Sequence, residues 1–444
     1  MQIKLKKPKS GFLISKYLLG LFLIIYILVP GNVKIYSFSP STILSYFLTV
    51  WALFLLVNGW YKYGSCIYEF CKFFIFYFVG LFALTFLSSD LTLAQQLVYH
   101  KSTVLTFQFP FFILVLVNTR QDVFFVYKTI MVLCIIVCSY GFFCYLDGSN
   151  IYIEVVNLFF PIESFDYTKY LTEERGGLEG RVSSVTTNPV FYAGMLVSLI
   201  YSTIYFYFFE PLKRNIYTIL FWAILSILFI NLFLTGTRSG LLSVFFGLTF
   251  IYVRVLKIIS KLRVGIITVI IFTAILAFFE KYRIFFESII FFWNDDRSAG
   301  EISGSSTGLR VNQLIGTFNL LSSDLGSLLF GKGHGWVELY IGKYGMHPVL
   351  LGFESIIFSG VIQYGLVGFF WVYPLLFYYL LKRTRSLNQP RSKNYRIVLQ
   401  AFLASYAIFS LMTGNYYWPL FLGCFAFMFK SWLIMDKSDK ANEI

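Results

Sequence analysis

Charged residues are scarce in this chain of 444 residues. Only 13% are Asp, Glu, Lys or Arg, against about 25% in ordinary soluble domains. Hydrophobic residues make up 58% of the chain, aromatic residues make up 21%, and the mean hydropathy is +0.72. This composition excludes an ordinary soluble protein and predicts an integral membrane protein. Because backbone polar groups find no water in lipid, we expect the crossing segments to be helical.

Patterns typical of metal and nucleotide binding are also missing. The three histidines form no metal-ligand cluster, and the six cysteines show neither a CxxC nor a zinc spacing. We find no P-loop and no GxGxxG after a strand. We therefore expect no metal and no cofactor. Asp295 and Asp296 could hold a divalent ion, but adjacent loop acids are usually a solvated patch. The formal charge of +14 lies in short runs between apolar segments, which indicates membrane orientation rather than nucleic-acid binding.

Apolar segments long enough to cross a bilayer as helices recur along the whole chain. The pattern predicts an all-α polytopic membrane protein with about twelve transmembrane helices in a single domain, residues 1–444. The predicted spans lie near residues 12–30, 42–60, 72–88, 103–118, 123–146, 189–209, 216–235, 239–255, 264–280, 355–381, 397–411 and 416–434.

The distribution of charge predicts the orientation of these spans. About two thirds of the 36 lysines and arginines lie on the side of the N-terminus, and most of the 22 acidic residues lie opposite. The positive-inside rule then places both termini in the cytoplasm. The N-terminal apolar run has no small-x-small cleavage site, so we expect a retained first span. Two long loops, residues 147–188 and 281–354, are predicted to be extracytoplasmic. Any chemistry on that face would need a substrate already activated on a lipid.

The turn "TGTRSG" places Arg238 between two apolar runs. An arginine at a span boundary can simply extend its guanidinium to the interface. Alternatively, Gly236 and Gly240 permit a tight turn, and Thr237, Ser239 and the free N–H groups of the next helix favour an anion. A guanidinium there could bind a phosphate through two parallel hydrogen bonds. Both interpretations stay open at this point.

The predicted outer loops hold further polar candidates. The first loop contributes Arg175 and Arg181, and the second places Arg310 near the start of an amphipathic helix. Such arginines are usually solvated loop charges. His334 lies in the glycine-rich turn "LLFGKGHGW" and could be a base or a sugar ligand, although turn histidines on surface loops are the commoner case. Glu354 stands at the outer end of the tenth span. Partial desolvation there would raise its pKa toward the range of a general base.

Three motifs together are similar to a known family. The segments "TGTRSGLL", "LLFGKGHGW" and "ESIIFSGVIQYGLVG" resemble the O-antigen polymerase and O-antigen ligase superfamily of bacterial membrane glycosyltransferases. The resemblance covers the second half of the chain by motif and the first half by span count. Ligases commonly carry His-Asn eleven residues before the glycine of a GLVG-like segment. Here Glu354 and Ser355 stand at that distance from Gly365, which favours the polymerase branch.

The resemblance implies a GT-C-like helical fold in the bacterial cytoplasmic (inner) membrane and an inverting, metal-independent glycosyl transfer. The donor would be a glycan on undecaprenyl diphosphate, and the acceptor a single repeat unit on the same lipid. The product would be O-antigen or a capsular-type polysaccharide, and a chain-length regulator is a possible partner. Arg238 would bind the diphosphate with Arg181 or Arg310 as a second cation, while Glu354 would orient or deprotonate the acceptor. His334 would be a reserve catalytic residue. The remaining substrate-binding candidates are Arg175, Thr237 and Ser239.

Two alternatives share these features in part. A ligase would use the same donor and transfer the glycan to a lipid A core. A flippase for the same lipid-linked units also has about twelve spans, but flippases typically show internal repeats and charges within their spans. The nearly acid-free spans and the two long loops on one face favour the glycosyltransferase.

Overall fold

The computed structural model describes residues 9–30, 33–35, 38–61, 63–88, 90–160, 174–175, 178–209, 215–255, 307–322, 324–385, 387, 393–414 and 418–442. Within these ranges the chain is almost entirely helical. The predicted span 264–280 and the Asp295–Asp296 pair lie outside the described residues.

Sixteen helices are described along the chain. The first six are α1 (Lys9–Leu28), α2 (Pro40–Val57), α3 (Gly64–Leu87), α4 (Leu93–Leu116), α5 (Arg120–Asp147) and α6 (Ile151–Phe159). Strand β1 (Glu174–Arg175) then pairs antiparallel with β2 (Leu178–Glu179). The later helices are α7 (Pro189–Phe209), α8 (Asn215–Leu234), α9 (Arg238–Val255), α10 (Thr307–Leu321), α11 (Leu325–Phe330), α12 (Trp336–Tyr344), α13 (Ile356–Val372), α14 (Pro374–Arg385), α15 (Lys393–Thr413) and α16 (Trp418–Asn442).

Eight described segments are long and apolar enough to cross a membrane: α2, α3, α5, α7, α9, α13 with α14, α15 and α16. Helices α1 and α8 contain shorter apolar segments, Ile14–Leu28 and Ile219–Leu234. Helix α4 covers the predicted span 103–118, but its first turns carry polar side chains such as Gln96 and His100. The described residues confirm the all-helical class and several candidate membrane spans, while the count of about twelve spans stays a prediction.

Helices α7 and α16 form the centre of the bundle, since 83% of each apolar window is buried. Helix α16 packs along α4, and α9 packs along α15. Lys430 of α16 carries a charge into the interior of the bundle: it is fully buried, donates to the carbonyl of Leu114 at 2.9 Å and lies 4.6 Å from the centre of the Tyr63 ring. The carbonyl and the ring compensate its desolvation.

Two contacts fix the register between α9 and α15. The Ser405 hydroxyl donates to the carbonyl of Ser243 at 2.5 Å. One turn farther along α9, a Cβ on Gly247 would lie 3.0 Å from the carbonyl of Ala401, one turn earlier on α15. The two helices are therefore antiparallel, and the first residue of α9 lies at the level of Ser410 near the end of α15.

Helix α13 is interrupted at Gly365, whose φ is 65° and ψ is −176°. The break frees two carbonyls of the preceding turn, and residues 331–335, which we call the glycine loop, bind them. The N–H of Lys332 donates to the carbonyl of Ile362 at 2.8 Å, and the N–H of Gly333 donates to that of Gln363 at 3.1 Å. Non-helical backbone at membrane depth is tolerated where it is covered by protein or lines a cavity.

Long-range contacts gather the predicted outer loops at one end of the bundle. Lys332 of the glycine loop pairs with Asp90 between α3 and α4 at 2.8 Å. Arg310 of α10 donates to the carbonyl of Met412 at the end of α15 at 3.5 Å. The second loop therefore folds back onto the ends of α3 and α15, which the predicted topology also places on one face.

Candidate functional site

A cavity of about 410 Å³ lies beneath the glycine loop at this end of the bundle. Its wall is built by α3, α4, α12, α13, the end of α15 and the start of α16. The volume falls within the roughly 300–1,000 Å³ of small-molecule sites. Besides tyrosines, the titratable side chains in its described wall are His334 and Glu338.

His334 is held on three sides. Its Nδ1 shares a hydrogen bond of 2.6 Å with the Tyr364 hydroxyl of α13, and its Nε2 lies 3.1 Å from the Thr103 hydroxyl of α4. The backbone N–H of His334 donates to the side-chain oxygen of Gln96 at 3.0 Å. The sequence suggested a histidine in a surface turn, whereas the fold places it between two helices.

The environment of His334 keeps its ring neutral. Burial, assisted by the nearby ring of His100, lowers the pKa of His334 to about 4. The two ring centres are 4.8 Å apart. A neutral imidazole offers one donor and one acceptor nitrogen, so it can orient a hydroxyl group without attracting an anion.

Glu338 lies in the first turn of α12, four residues after His334, and faces the cavity. Its side chain is exposed to solvent, yet the protein around it removes enough water to raise the pKa of Glu338 above its ordinary value, against a hydrogen bond from Gln363 that lowers it. The Gln363 side-chain oxygen in turn accepts the N–H of Gly335 at 2.8 Å. Gln363 therefore joins the interrupted helix, the glycine loop and the cavity carboxylate, and a carboxylate with a raised pKa suits proton transfer near neutral pH.

Arg181 lies against the arginine turn that separates α8 from α9. Its side chain is buried, Nε donates to the carbonyl of Thr235 at 3.0 Å, and Nη2 donates to the Thr237 hydroxyl at 3.3 Å. Gly236 has a φ of +59°, and a Cβ there would lie 3.3 Å from Arg181 Cγ. The glycine thus lets the arginine pack directly on the turn.

Arg238, the first residue of α9, is also buried at this turn, as is Ser239. The register with α15 places Arg238 at the level of Ser410. Arg310 binds the same end of α15 and also donates to the Gln313 side chain at 2.9 Å. Arg310 contacts Met412 of α15, and the following residue, Thr413, lines the cavity. The structure therefore brings the cavity and the three candidate arginines to one helix end. Arg175 lies in β1.

Glu354 does not fulfil the expectation of a desolvated carboxylate in a first helical turn. Helix α13 begins at Ile356, and Ser355 caps it by accepting the N–H of Ile357 at 3.1 Å. The Glu354 side chain is 52% exposed and lies 3.7 Å from Arg310. Its backbone carbonyl accepts an Arg310 N–H at 3.0 Å. Glu354 is a partner of Arg310, and its carboxylate remains accessible to water.

No protein-family model and no curated protein matches this chain. The functional assignment therefore depends on the residues and their geometry, together with the motif resemblance.

Three residues of the cavity, Glu338, Gln363 and Tyr364, were not predicted as site residues. A signal for them exists in the sequence. Glu338 is an acidic residue in the same predicted outer loop as His334 and follows it by four residues. Gln363 and Tyr364 interrupt an otherwise apolar span, and polar groups inside spans usually have a function.

Proposed function

We propose that this chain polymerises oligosaccharide repeat units carried on undecaprenyl diphosphate, as a glycosyltransferase on the outer face of the bacterial cytoplasmic membrane. One observation supports this most: a cavity containing Glu338 and neutral His334 lies at the same bundle end as three buried or half-buried arginines. Glycosyl transfer from a lipid diphosphate needs both elements, a group that handles a hydroxyl proton and cations for the departing phosphates.

In this proposal the arginines hold the donor diphosphate. The guanidinium groups of Arg238, Arg181 and Arg310 place positive charge at this end of the bundle, where phosphate oxygens can accept N–H groups. The diphosphate gains negative charge as its bond to the sugar breaks, so fixed cations stabilise the transition state more than the ground state. Thr237 and Ser239 complete the turn that positions Arg238.

The cavity holds the acceptor. An acceptor hydroxyl attacks C1 of the donor sugar from the face opposite the phosphate, a new C1–O bond forms, and lipid diphosphate leaves with the old bonding pair. Glu338 takes the hydroxyl proton, and neutral His334 holds Thr103 and Tyr364 in place in the cavity wall through its two ring nitrogens. Glu354 is a positioning residue that fixes Arg310. The transfer inverts C1 and uses no metal in this proposal.

The test replaces single residues in the native host. The gene is deleted and complemented with wild type, Arg238→Ala or Glu338→Gln at equal membrane abundance, and the surface glycan is separated on a gel. We expect the deletion to leave single repeat units, wild type to restore a ladder, and both variants to fail. Loss of a general base costs about 10²–10⁴-fold in rate, which is enough to remove long chains.

Two matched variants serve as controls. Arg254 is exposed at the opposite end of α9, so Arg254→Ala should restore the ladder. Glu354→Gln should shorten chains less than Glu338→Gln, because Glu354 acts only through Arg310. A normal ladder with Arg238→Ala would refute the diphosphate role. A deletion that removes all surface glycan while lipid-linked polymer accumulates would identify a ligase instead.

A further inference from the structure

Three serine and threonine hydroxyl groups of the cavity wall have their hydrogens directed to backbone carbonyls rather than into the cavity. The Ser102 hydroxyl donates to the carbonyl of Tyr99 at 2.7 Å, and that of Thr106 donates to the carbonyl of Ser102 at 3.0 Å. The Thr413 hydroxyl donates to the carbonyl of Phe409 at 2.7 Å. A hydroxyl has one hydrogen and two lone pairs, so each of these groups can offer the cavity only acceptor positions.

The charged and titratable side chains of the wall also offer the ligand acceptors rather than donors. Glu338 contributes a carboxylate, which accepts hydrogen bonds when ionised. His334 is held neutral, and its two ring nitrogens already lie within hydrogen-bond distance of Tyr364 and Thr103. Among the described residues of the wall there is no lysine or arginine. The cavity is therefore rich in acceptors and negative in charge.

Large aromatic side chains complete the wall. Phe107, Phe353, Tyr373 and Trp418 all line the cavity. Such surfaces bury the apolar faces of a ligand, while the acceptors can receive its O–H or N–H groups. A ligand that matches this wall has many hydroxyl or amide donors, apolar faces and no negative charge.

We propose that the cavity is the acceptor-sugar site and that it selects uncharged or amino sugars over uronic acids, with Glu338 as the residue that determines this specificity. This inference rests on the proposed function. A uronic acid would bring a second carboxylate beside Glu338, and that carboxylate, unlike the CH₂OH group of a neutral sugar, could supply no hydrogen to the acceptors around it. The repulsion between two like charges in a partly desolvated site reduces affinity by at least about tenfold.

The test measures binding without turnover. The full chain is purified in lipid nanodiscs at pH 8. Saturation-transfer NMR titrations then give dissociation constants for two matched pairs: methyl glucoside with methyl glucuronide, and methyl galactoside with methyl galacturonide. We expect at least one neutral glycoside to bind, and its uronide to bind at least about tenfold more weakly.

Two variants test whether Glu338 causes this selectivity. Glu338→Gln should bring the uronide to within about threefold of its neutral partner, whereas Glu354→Gln should leave the tenfold difference unchanged. Equal affinity within both pairs, failure of both neutral glycosides to bind, or unchanged discrimination in Glu338→Gln would each overturn the proposal. Because binding is measured without a lipid-linked donor, selective binding alongside an unaltered glycan ladder after gene deletion would refute the polymerase assignment and leave the sugar site standing.

Discussion

A histidine whose pKa lies near 4 is neutral throughout the physiological pH range, and His334 is such a residue. In the unfolded chain the same ring would titrate near 6.5. Between these two values the unfolded state binds more protons than the folded state, so stability falls as the pH falls. The contribution of His334 is complete above pH 6.5 and is lost progressively as the pH approaches 4.

This gives a prediction for His334→Gln. The wild-type melting temperature in nanodiscs should fall between pH 7.5 and pH 5, and the fall should be smaller in His334→Gln because that side chain does not titrate. His347, which lies in a more open turn, provides the control: His347→Gln should retain most of the fall. The same fall in wild type and His334→Gln would show that His334 is not the group responsible.

At the scale of single residues, the sequence predicts the two turns of the candidate site. The glycine turn around His334 and the arginine turn at Arg238 were visible as motifs, because both depend on local backbone requirements. The sequence points to Glu354 as the base because Glu354 stands next to an apolar span. The surroundings of a carboxylate depend on tertiary packing, and the cavity that the helices form is lined by Glu338 rather than Glu354.

At the scale of elements, the central feature is the break in α13. The sequence predicted one continuous span over residues 355–381, since glycine is common in membrane helices. Residues 329–333 cross this helix so closely that a Cβ on Gly365 would lie 2.3 Å from the carbonyl carbon of Leu329. This crossing is a long-range contact, so hydropathy and spacing carry no sign of it.

Gly365→Ala should therefore be strongly destabilising. The added methyl group meets backbone atoms that cannot move independently, and φ is positive, so we expect a loss of at least about 2 kcal/mol in stability and of the glycan ladder. Thermal unfolding in nanodiscs and complementation of the deletion strain measure the two effects. Gly342 on α12 is the control, because a Cβ there has no neighbour within 4 Å. Gly342→Ala should be neutral or stabilising by about 0.5–1 kcal/mol, and equal effects of the two variants would contradict the role of the crossing.

At the scale of the whole molecule, composition predicted the class of protein and the positions of most helices, because a segment's mean hydropathy decides whether it can reside in lipid. The sequence could not predict how these helices combine. The cavity draws its wall from six helices whose sequence positions extend from Tyr77 to Pro419, and such convergence depends on tertiary packing.

The predicted orientation can be tested on intact cells. In a background without the six native cysteines, Gly342→Cys and Lys382→Cys each introduce one exposed thiol, in the second outer loop and in the basic end of α14 respectively. A membrane-impermeant maleimide should label the thiol at 342, and should label the one at 382 only after the cells are opened. Labelling of position 382 in intact cells would reverse the topology and place the cavity on the cytoplasmic face.

Glycan polymerisation itself is tested most directly by reconstitution. The purified chain is placed in proteoliposomes with lipid-linked repeat units extracted from the deletion strain, without nucleotide sugars or metal ions, and the lipid-linked glycans are sized over time. We predict that wild type lengthens the glycans stepwise and releases one undecaprenyl diphosphate for each linkage formed, and that Glu338→Gln does neither. Repeat units that stay at their original length with wild-type protein, or that only move across the bilayer, would contradict the assignment.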